Sequence, residues 1–291
     1  MCQINKDYEN LTSSPVGFFI VLTPFDVMGG VIINPISKKG EDYNMIKPPI
    51  SRMGGKSKLR KTIIEMIPKH TCYVELFLGA GWVYFGKEPS KAEVINDIDS
   101  ELVNMFKMFK YHEEEIKRLL DYEIYSRDSF HSYLNASQLT EIQRAIRFFY
   151  IINCSFGSKG DHFGYRATQK PPGKIFTEDF KDIRERLKNT YVENLDFTDI
   201  IKKYDKKETF FFCDPPYFET AGYKNQFTEE HHLLLRDKLT NIKGKFLLTI
   251  NDHESTREWY KDFNIKETEV NYTVCKNHTD KKYKELIITN Y

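Results

Sequence analysis

The chain has 291 residues, with 43 Lys and Arg against 42 Asp and Glu and a formal net charge of +1. That length gives one large domain, or one domain with an inserted subdomain, and the near-neutral balance excludes a global field as the means of holding a polyanion. Five scattered cysteines (Cys2, Cys72, Cys154, Cys213, Cys275) show no Cys-x-x-Cys spacing, so reduced cytoplasmic thiols are expected, no metal site is read, and a zinc-dependent deaminase is disfavoured.

Residues 1–44 differ from the remainder. Val16 to Ile33 is apolar, but Pro24, Asp26 and Gly29-Gly30 interrupt it, and it lacks the basic start and cleavage site of a signal peptide. It reads as a poorly anchored extension, with no membrane span. From Lys47 to Lys69, seven basic residues (Lys47, Arg52, Lys56, Lys58, Arg60, Lys61, Lys69) face only Glu65, a patch suited to phosphates or a solvated face with acidic neighbours in space. Within it, Gly54-Gly55-Lys56 precedes a helix carrying Leu59, Ile63, Ile64 and Ile67 and closed by Pro68. Such a turn can bring backbone N–H groups and an ammonium to an anion, though the spacing is not that of a Walker loop.

Tyr73 to Leu78 reads as a strand entering the turn Gly79-Ala80-Gly81, where glycines permit close backbone approach to a ligand. Ala92 to Asp97 is a second strand ending in an acid, the position from which a carboxylate holds ribose hydroxyls or caps a helix. Leu102 to about Phe180 is helical in pattern, with Phe106 and Phe109, Ile116 and Leu120, then Ile142, Ile146 and Phe149. Its tail, Asn153 to Arg166, mixes glycines, aromatics and bases as a loop or hairpin on DNA would. From Arg144 to Lys174, six basic residues (Arg144, Arg147, Lys159, Arg166, Lys170, Lys174) face Asp161, a second basic patch suited to phosphates or a solvated face with acidic neighbours in space.

Tyr191 to Phe197 is a further strand and turn, where Asp196 and Phe197 could meet an adenine ring. Thr209-Phe210-Phe211-Phe212-Cys213 is a buried strand of a parallel sheet, and Asp214-Pro215-Pro216-Tyr217 ends it abruptly. Each proline fixes its own φ and holds the preceding residue extended, so Asp214 and the following carbonyls form a rigid set of acceptors beside an aromatic ring. A planar exocyclic amine is a poor nucleophile. A carboxylate and a carbonyl that accept its two N–H bonds favour positive charge on the attacking nitrogen, while Tyr217 stacks on the base.

Phe218 to Phe227 reads as a mobile loop. Thr228 is the N-cap of a helix with His231 and His232 on its surface, and Lys245 to Asn251 is another buried strand. Arg257 to Tyr260 lies on the next helix. Ile265 to Val274 and Glu285 to Tyr291, around a loop with Lys276, His278, Lys281 and Lys282, form an antiparallel edge hairpin. Glycine, acid and Asp-Pro-Pro-Tyr features at successive strand ends give a doubly wound α/β sheet with ligands at its carboxyl edge.

Asp214-Pro215-Pro216-Tyr217, Gly54-Gly55-Lys56, Phe77-x-Gly79-x-Gly81, Asn96-Asp97 and the block Asn251 to Tyr260 together resemble the Dam-like, D12-class DNA adenine-N6 methyltransferases over nearly the whole chain after residue 45. The resemblance implies a Rossmann-like methyltransferase sheet using S-adenosylmethionine, catalytic over 45–104 and 181–291, with an inserted, mainly helical target-recognition subdomain over 105–180. It implies catalysis by Asp214, Pro215, Pro216 and Tyr217, and cofactor contacts from Arg52, Lys56, Glu75, Phe77, Gly79, Gly81, Asp97, Asp196, Phe197 and Asp214. DNA contacts are expected from Lys159, Arg166, Lys170, Lys281 and Lys282. Arg52 departs from the family pattern, standing where an aromatic is expected. The implied partner is double-stranded DNA, with a cognate restriction endonuclease plausible for a compact monomeric chain. Three alternatives stay open: an RNA adenine or protein amide acceptor, a DNA-binding protein of the same fold without catalysis, and a dehydrogenase, which the missing full glycine fingerprint argues against.

Overall fold

The computed structural model describes residues 45–52, 54–165, 167–171, 176, 179–219, 227–271 and 282–291. The extension expected over residues 1–44, most of the loop expected at Phe218 to Phe227, and Lys276, His278 and Lys281 lie outside the described residues.

Seven strands form one sheet in the order β3-β2-β1-β4-β5-β7-β6. These are β1 (Cys72–Glu75), β2 (Ala92–Asn96), β3 (Thr190–Glu193), β4 (Thr209–Cys213), β5 (Lys245–Asn251), β6 (Asn264–Asn271) and β7 (Lys282–Thr289). The first five in this order are parallel, and β7 runs antiparallel between β5 and β6. Of the expected hairpin, therefore, β6 forms the edge and β7 lies one strand in.

Side chains of β4 alternate between two cores because successive residues of a strand point to opposite faces. Phe210 and Phe212 join Tyr73, Ile95 and Leu247 on one face; Phe211 and Cys213 join Val74, Val94, Phe246 and Leu248 on the other. Helices cover both faces, which is why these strands read as continuous apolar runs. The first face carries α1 (Arg60–Met66), α2 (Trp82–Gly86), α3 (Ser100–Tyr111), α6 (Glu141–Cys154) and α7 (Lys181–Leu187); the second carries α8 (Phe197–Tyr204), α9 (Glu229–Thr240) and α10 (Glu254–Trp259). Between α3 and α6 lie α4 (Glu113–Leu120) and α5 (Arg127–Asn135). Phe106 and Phe109 of α3 and Phe149 of α6 lie in the same core as Tyr73 of β1, so the helical stretch shares its core with the sheet.

Polar contacts set the helix ends and their docking. Asp99 caps α3 by accepting from the backbone of Glu101 and Leu102, a role the sequence offered to Asp97. Thr140 and Gln143 form a capping box at the start of α6. Arg144 reaches Glu101 of α3 at 2.5 Å, with Arg147 close to the same carboxylate, so two cations of the second basic patch are committed within the protein. Glu93 of β2, buried, binds Lys87 and Arg186 of α7. Losing one partner there would leave an uncompensated buried charge, at a cost of about 3–5 kcal/mol.

From β1 the chain moves outward to β2 and β3, then returns to lay β4 on the other side of β1. Reversal of strand order opens a crevice at the carboxyl ends of β1 and β4, where ligands of open α/β sheets bind.

Candidate active site

Two short segments meet at that crevice. Glu75 of β1 pairs with Phe212 of β4, and the Leu76 N–H donates to the Phe212 carbonyl at 3.0 Å. This register sets residues 77–81 beside residues 214–217. Between them opens a cavity of about 540 Å³, of a size to hold a nucleoside-sized ligand.

On the β4 side, Asp214 Oδ1 accepts from Lys56 Nζ at 2.7 Å and from Thr249 Oγ1 at 2.8 Å. The Lys56 side chain is 3% exposed; its Nζ also donates to the Gly54 carbonyl at 2.9 Å and stands 4.7 Å from the centre of the Tyr217 ring. Burial pushes the Asp214 carboxyl above the usual range, outweighing the Lys56 ammonium that pulls it down. Downstream, the Phe218 N–H donates to Asn251 Oδ1, and Asn251 Nδ2 donates to the Phe218 carbonyl. The end of β5 thus clamps the backbone just past the Pro-Pro-Tyr turn.

On the β1 side, Gly79 and Gly81 take φ of +51° and +77°, values that side chains other than glycine's adopt at a cost. A Cβ on Gly79 would meet nothing within 4 Å, so this backbone faces open space, while one on Gly81 would press on the Phe85 ring at 3.0 Å. Asp97 Oδ2 accepts from the Gly79 N–H and Oδ1 from the Asp99 N–H, each at 2.9 Å. Its carboxyl is raised, first by burial. Glu75 forms the floor: 2% exposed, it accepts from the Tyr73 hydroxyl at 2.6 Å, and burial pushes it up to about 8.

Arg52 donates to Asp99 at 2.6 Å and lies 5.5 Å from the centre of the Phe148 ring. An aromatic from α6 therefore stands beside the position where the sequence lacks one. Asp196 caps α8 by accepting from the Thr198 N–H, and Phe197, nearly buried, packs against Phe77 and Phe227.

The cavity wall brings together Arg52, Lys56, Glu75, Phe77, Gly79, Gly81, Asp97, Asp196, Phe197, Asp214, Pro215, Pro216 and Lys159, with the Tyr217 ring placed by its contact with Lys56. Lys170 is exposed and away from the cavity wall. Arg166 and Lys281 lie outside the described residues, and Lys282 is described only as backbone of β7.

Sequence reasoning missed Thr249 and misplaced His232. Thr249 had a readable signal, being the one polar residue within the apolar run Phe246 to Ile250, next in register to Asp214. His232 is 0% exposed rather than on the helix surface. Phe218, Phe227 and Trp259 enclose it, and burial lowers its pKa to about 4. A helix that starts beneath an aromatic cluster buries the residue facing it whatever its polarity.

A family model described as D12 class N6 adenine-specific DNA methyltransferase matches residues 53–274. A type II methyltransferase of Lactococcus lactis subsp. cremoris is 30% identical over 274 residues, covering 84% of this chain and 96% of its own. A DNA adenine methylase of Salmonella typhi is 27% identical over 267 residues, covering 80% and 91%. A type II methyltransferase of Methanocaldococcus jannaschii is 26% identical over 293 residues, covering 84% and 99%.

Proposed function

The chain belongs to the D12 class of N6 adenine-specific DNA methyltransferases, and from that premise we propose that it methylates adenine N6 at one recurrent sequence of double-stranded DNA, with S-adenosylmethionine as donor and the target base flipped out of the helix. The observation that carries the reading is a carboxylate, Asp214, held rigidly by Thr249 and a Pro-Pro turn on a cavity whose other wall is the Gly79–Gly81 turn.

The cofactor supplies an electrophilic methyl group on a sulfonium. The open backbone at Gly79 and the Asp97 carboxylate fit its nucleoside, with Glu75, Phe77, Arg52, Asp196 and Phe197 around it. Asp214 and the Pro215 carbonyl accept the two N–H bonds of the target amine, and Tyr217 stacks on the base. A negative charge beside the amine favours the positive charge that builds on N6 as it attacks, and holding the amine in line removes most of the entropic barrier. Neither step needs a covalent enzyme intermediate. Cys213 fits this, since its thiol is wholly buried and pushed far up by that burial.

We assign catalysis to residues 45–104 and 181–291 and target recognition to 105–180, with Lys159, Arg166, Lys170, Lys281 and Lys282 meeting phosphates. The placement of Lys159 on the rim of the cavity supports that assignment. We further propose a monomer working in the cytoplasm, where a cognate endonuclease can share its site, under the enzyme class of site-specific adenine DNA methyltransferases. Among the described residues no helix is long and apolar enough to cross a membrane.

The test is transfer of labelled methyl to unmethylated genomic DNA, followed by nucleoside analysis and single-molecule mapping. N6-methyladenine at one recurrent motif is expected. Cofactor binding without label in DNA would move the acceptor to RNA or a protein amide, and absence of binding would favour a DNA-binding protein without catalysis.

A further inference from the structure

Lys56 makes one of the two contacts that a target amine would make, the one to Asp214, and takes its second acceptor from the Gly54 carbonyl. Its Nζ donates to Asp214 Oδ1 at 2.7 Å, lies 4.7 Å from the centre of the Tyr217 ring, and is almost fully buried there. A base stacked on Tyr217 in van der Waals contact would need that space. An ammonium hydrogen-bonded to Asp214 would also cancel the negative charge that favours a cationic transition state at N6. Both effects oppose productive entry of the base while Lys56 holds this position.

We propose that Lys56 is a resting-state stand-in for the target amine, and that the carboxylate of the incoming cofactor draws it away, so that adenine enters only a cofactor-loaded site. The inference rests on the S-adenosylmethionine-dependent reading above. The exchange balances in charge. Removing the ammonium alone would leave Asp214, a carboxylate with only 18% of its side chain exposed, with the Thr249 hydroxyl as its one named donor, a less favourable state. Bound in this cavity, the cofactor would supply a cationic sulfonium and, in its carboxylate, a second anionic partner for Lys56. Lys56 lines the same cavity as Gly79, Asp97 and Asp214, so a cofactor held at the Gly79–Gly81 turn would enter the space that Lys56 also faces. The order of binding then follows from one lysine having two mutually exclusive anionic partners. A cofactor that arrives first frees Asp214 for the base, and DNA that arrives first keeps its adenine stacked.

The experiment places 2-aminopurine at the target position of the duplex identified by methylation mapping and reads its fluorescence, which rises when the base leaves the stack. For the unaltered protein bound to this duplex, sinefungin, which carries the amino-acid carboxylate, is expected to raise the signal. 5′-Methylthioadenosine, which fills the nucleoside site without a carboxylate, is expected to leave it low at saturation. Lys56→Met is expected to flip the base without any cofactor, raising the cofactor-free flipped population by roughly tenfold, the scale of one charge-assisted hydrogen bond. Full flipping by the unaltered protein without cofactor, or retained cofactor dependence in folded, DNA-bound Lys56→Met, overturns the proposal. Where Lys56→Met does not fold, equal fluorescence with the two nucleosides overturns it and unequal fluorescence supports it. A protein that methylates adenine yet flips it unaided refutes only this inference; one that fails to methylate DNA refutes the functional reading beneath it.

Discussion

Substitution of Glu75 by Gln tests the electrostatics of the cavity floor. Glu75 is 2% exposed, and burial raises its carboxyl from 4.5 to about 8, against the lowering influence of the Tyr73 hydroxyl; Asp214 raises it further and Lys87 lowers it. Between those two values the folded chain holds a proton that the unfolded chain has lost, so stability falls as pH rises through this window. The contribution is complete below pH 4.5 and spent above about 8. At about 1.36 kcal/mol per pH unit the whole interval is worth roughly 5 kcal/mol as a ceiling. His232 slopes the other way: its pKa falls from 6.5 to about 4, so its contribution is lost as pH drops below 6.5. Above 6.5 only Glu75 of the two acts, leaving about 2 kcal/mol between pH 6.5 and 8. At about 2–4 °C per kcal/mol for a chain of this size, the unaltered protein should lose about 4–8 °C of melting temperature over that span. Glu75→Gln keeps an oxygen to accept from Tyr73 but cannot titrate, so its melting temperature should be nearly flat there. The assay is thermal melting by fluorescence or calorimetry at fixed ionic strength. An unchanged slope in Glu75→Gln would refute the claim that Glu75 is held protonated by its burial.

Asp214→Ala is expected to lower kcat for methyl transfer by at least about a hundredfold, the scale of losing one preorganised charge-stabilising group, while cofactor binding measured by calorimetry persists. Retained turnover would remove Asp214 from the mechanism. Gly244→Ala would set a Cβ 2.5 Å from the Thr209 carbonyl, a backbone atom that cannot step aside; a loss of about 1–3 kcal/mol in urea unfolding is expected, with normal stability counting against the packing described. Lys159→Ala should weaken DNA binding on all sequences alike and reduce the slope of log affinity against log salt by about 1, whereas a sequence-dependent loss would mean that Lys159 reads a base edge.

Much of the fold was legible because its strands carry their own signature. Thr209 to Cys213 is buried at every position and apolar from Phe210 onward, as a strand covered on both faces must be, and the Pro pair marks its end. The Gly79–Gly81 turn was legible for a similar reason, since positive φ is a demand that the residue type itself records. Long-range pairings were not. Arg144 and Arg147 read as part of a basic patch, yet both turn toward Glu101, a partner on another helix that a count along the chain cannot find. Arg52 likewise reads as a missing aromatic, and only the packing of α6 brings Phe148 beside it.

The Lys56–Asp214 pair shows why site chemistry is harder to read than site position. Each residue was identifiable from its own motif, Gly-Gly-Lys in one case and Asp-Pro-Pro-Tyr in the other. Their contact depends on the return of β4 to the side of β1, which brings the chain just before α1 against the chain just after β4. Motif reading treats the lysine as a cofactor contact and the aspartate as an amine acceptor, two separate sites. Because the two meet at Asp214 Oδ1, an ammonium already stands at the acceptor, and in the order proposed above Asp214 serves a base once that ammonium has another anion to bind. The topology that assembles the reactants therefore also makes the two binding steps compete for the same lysine, which is how a sheet built for proximity acquires an order.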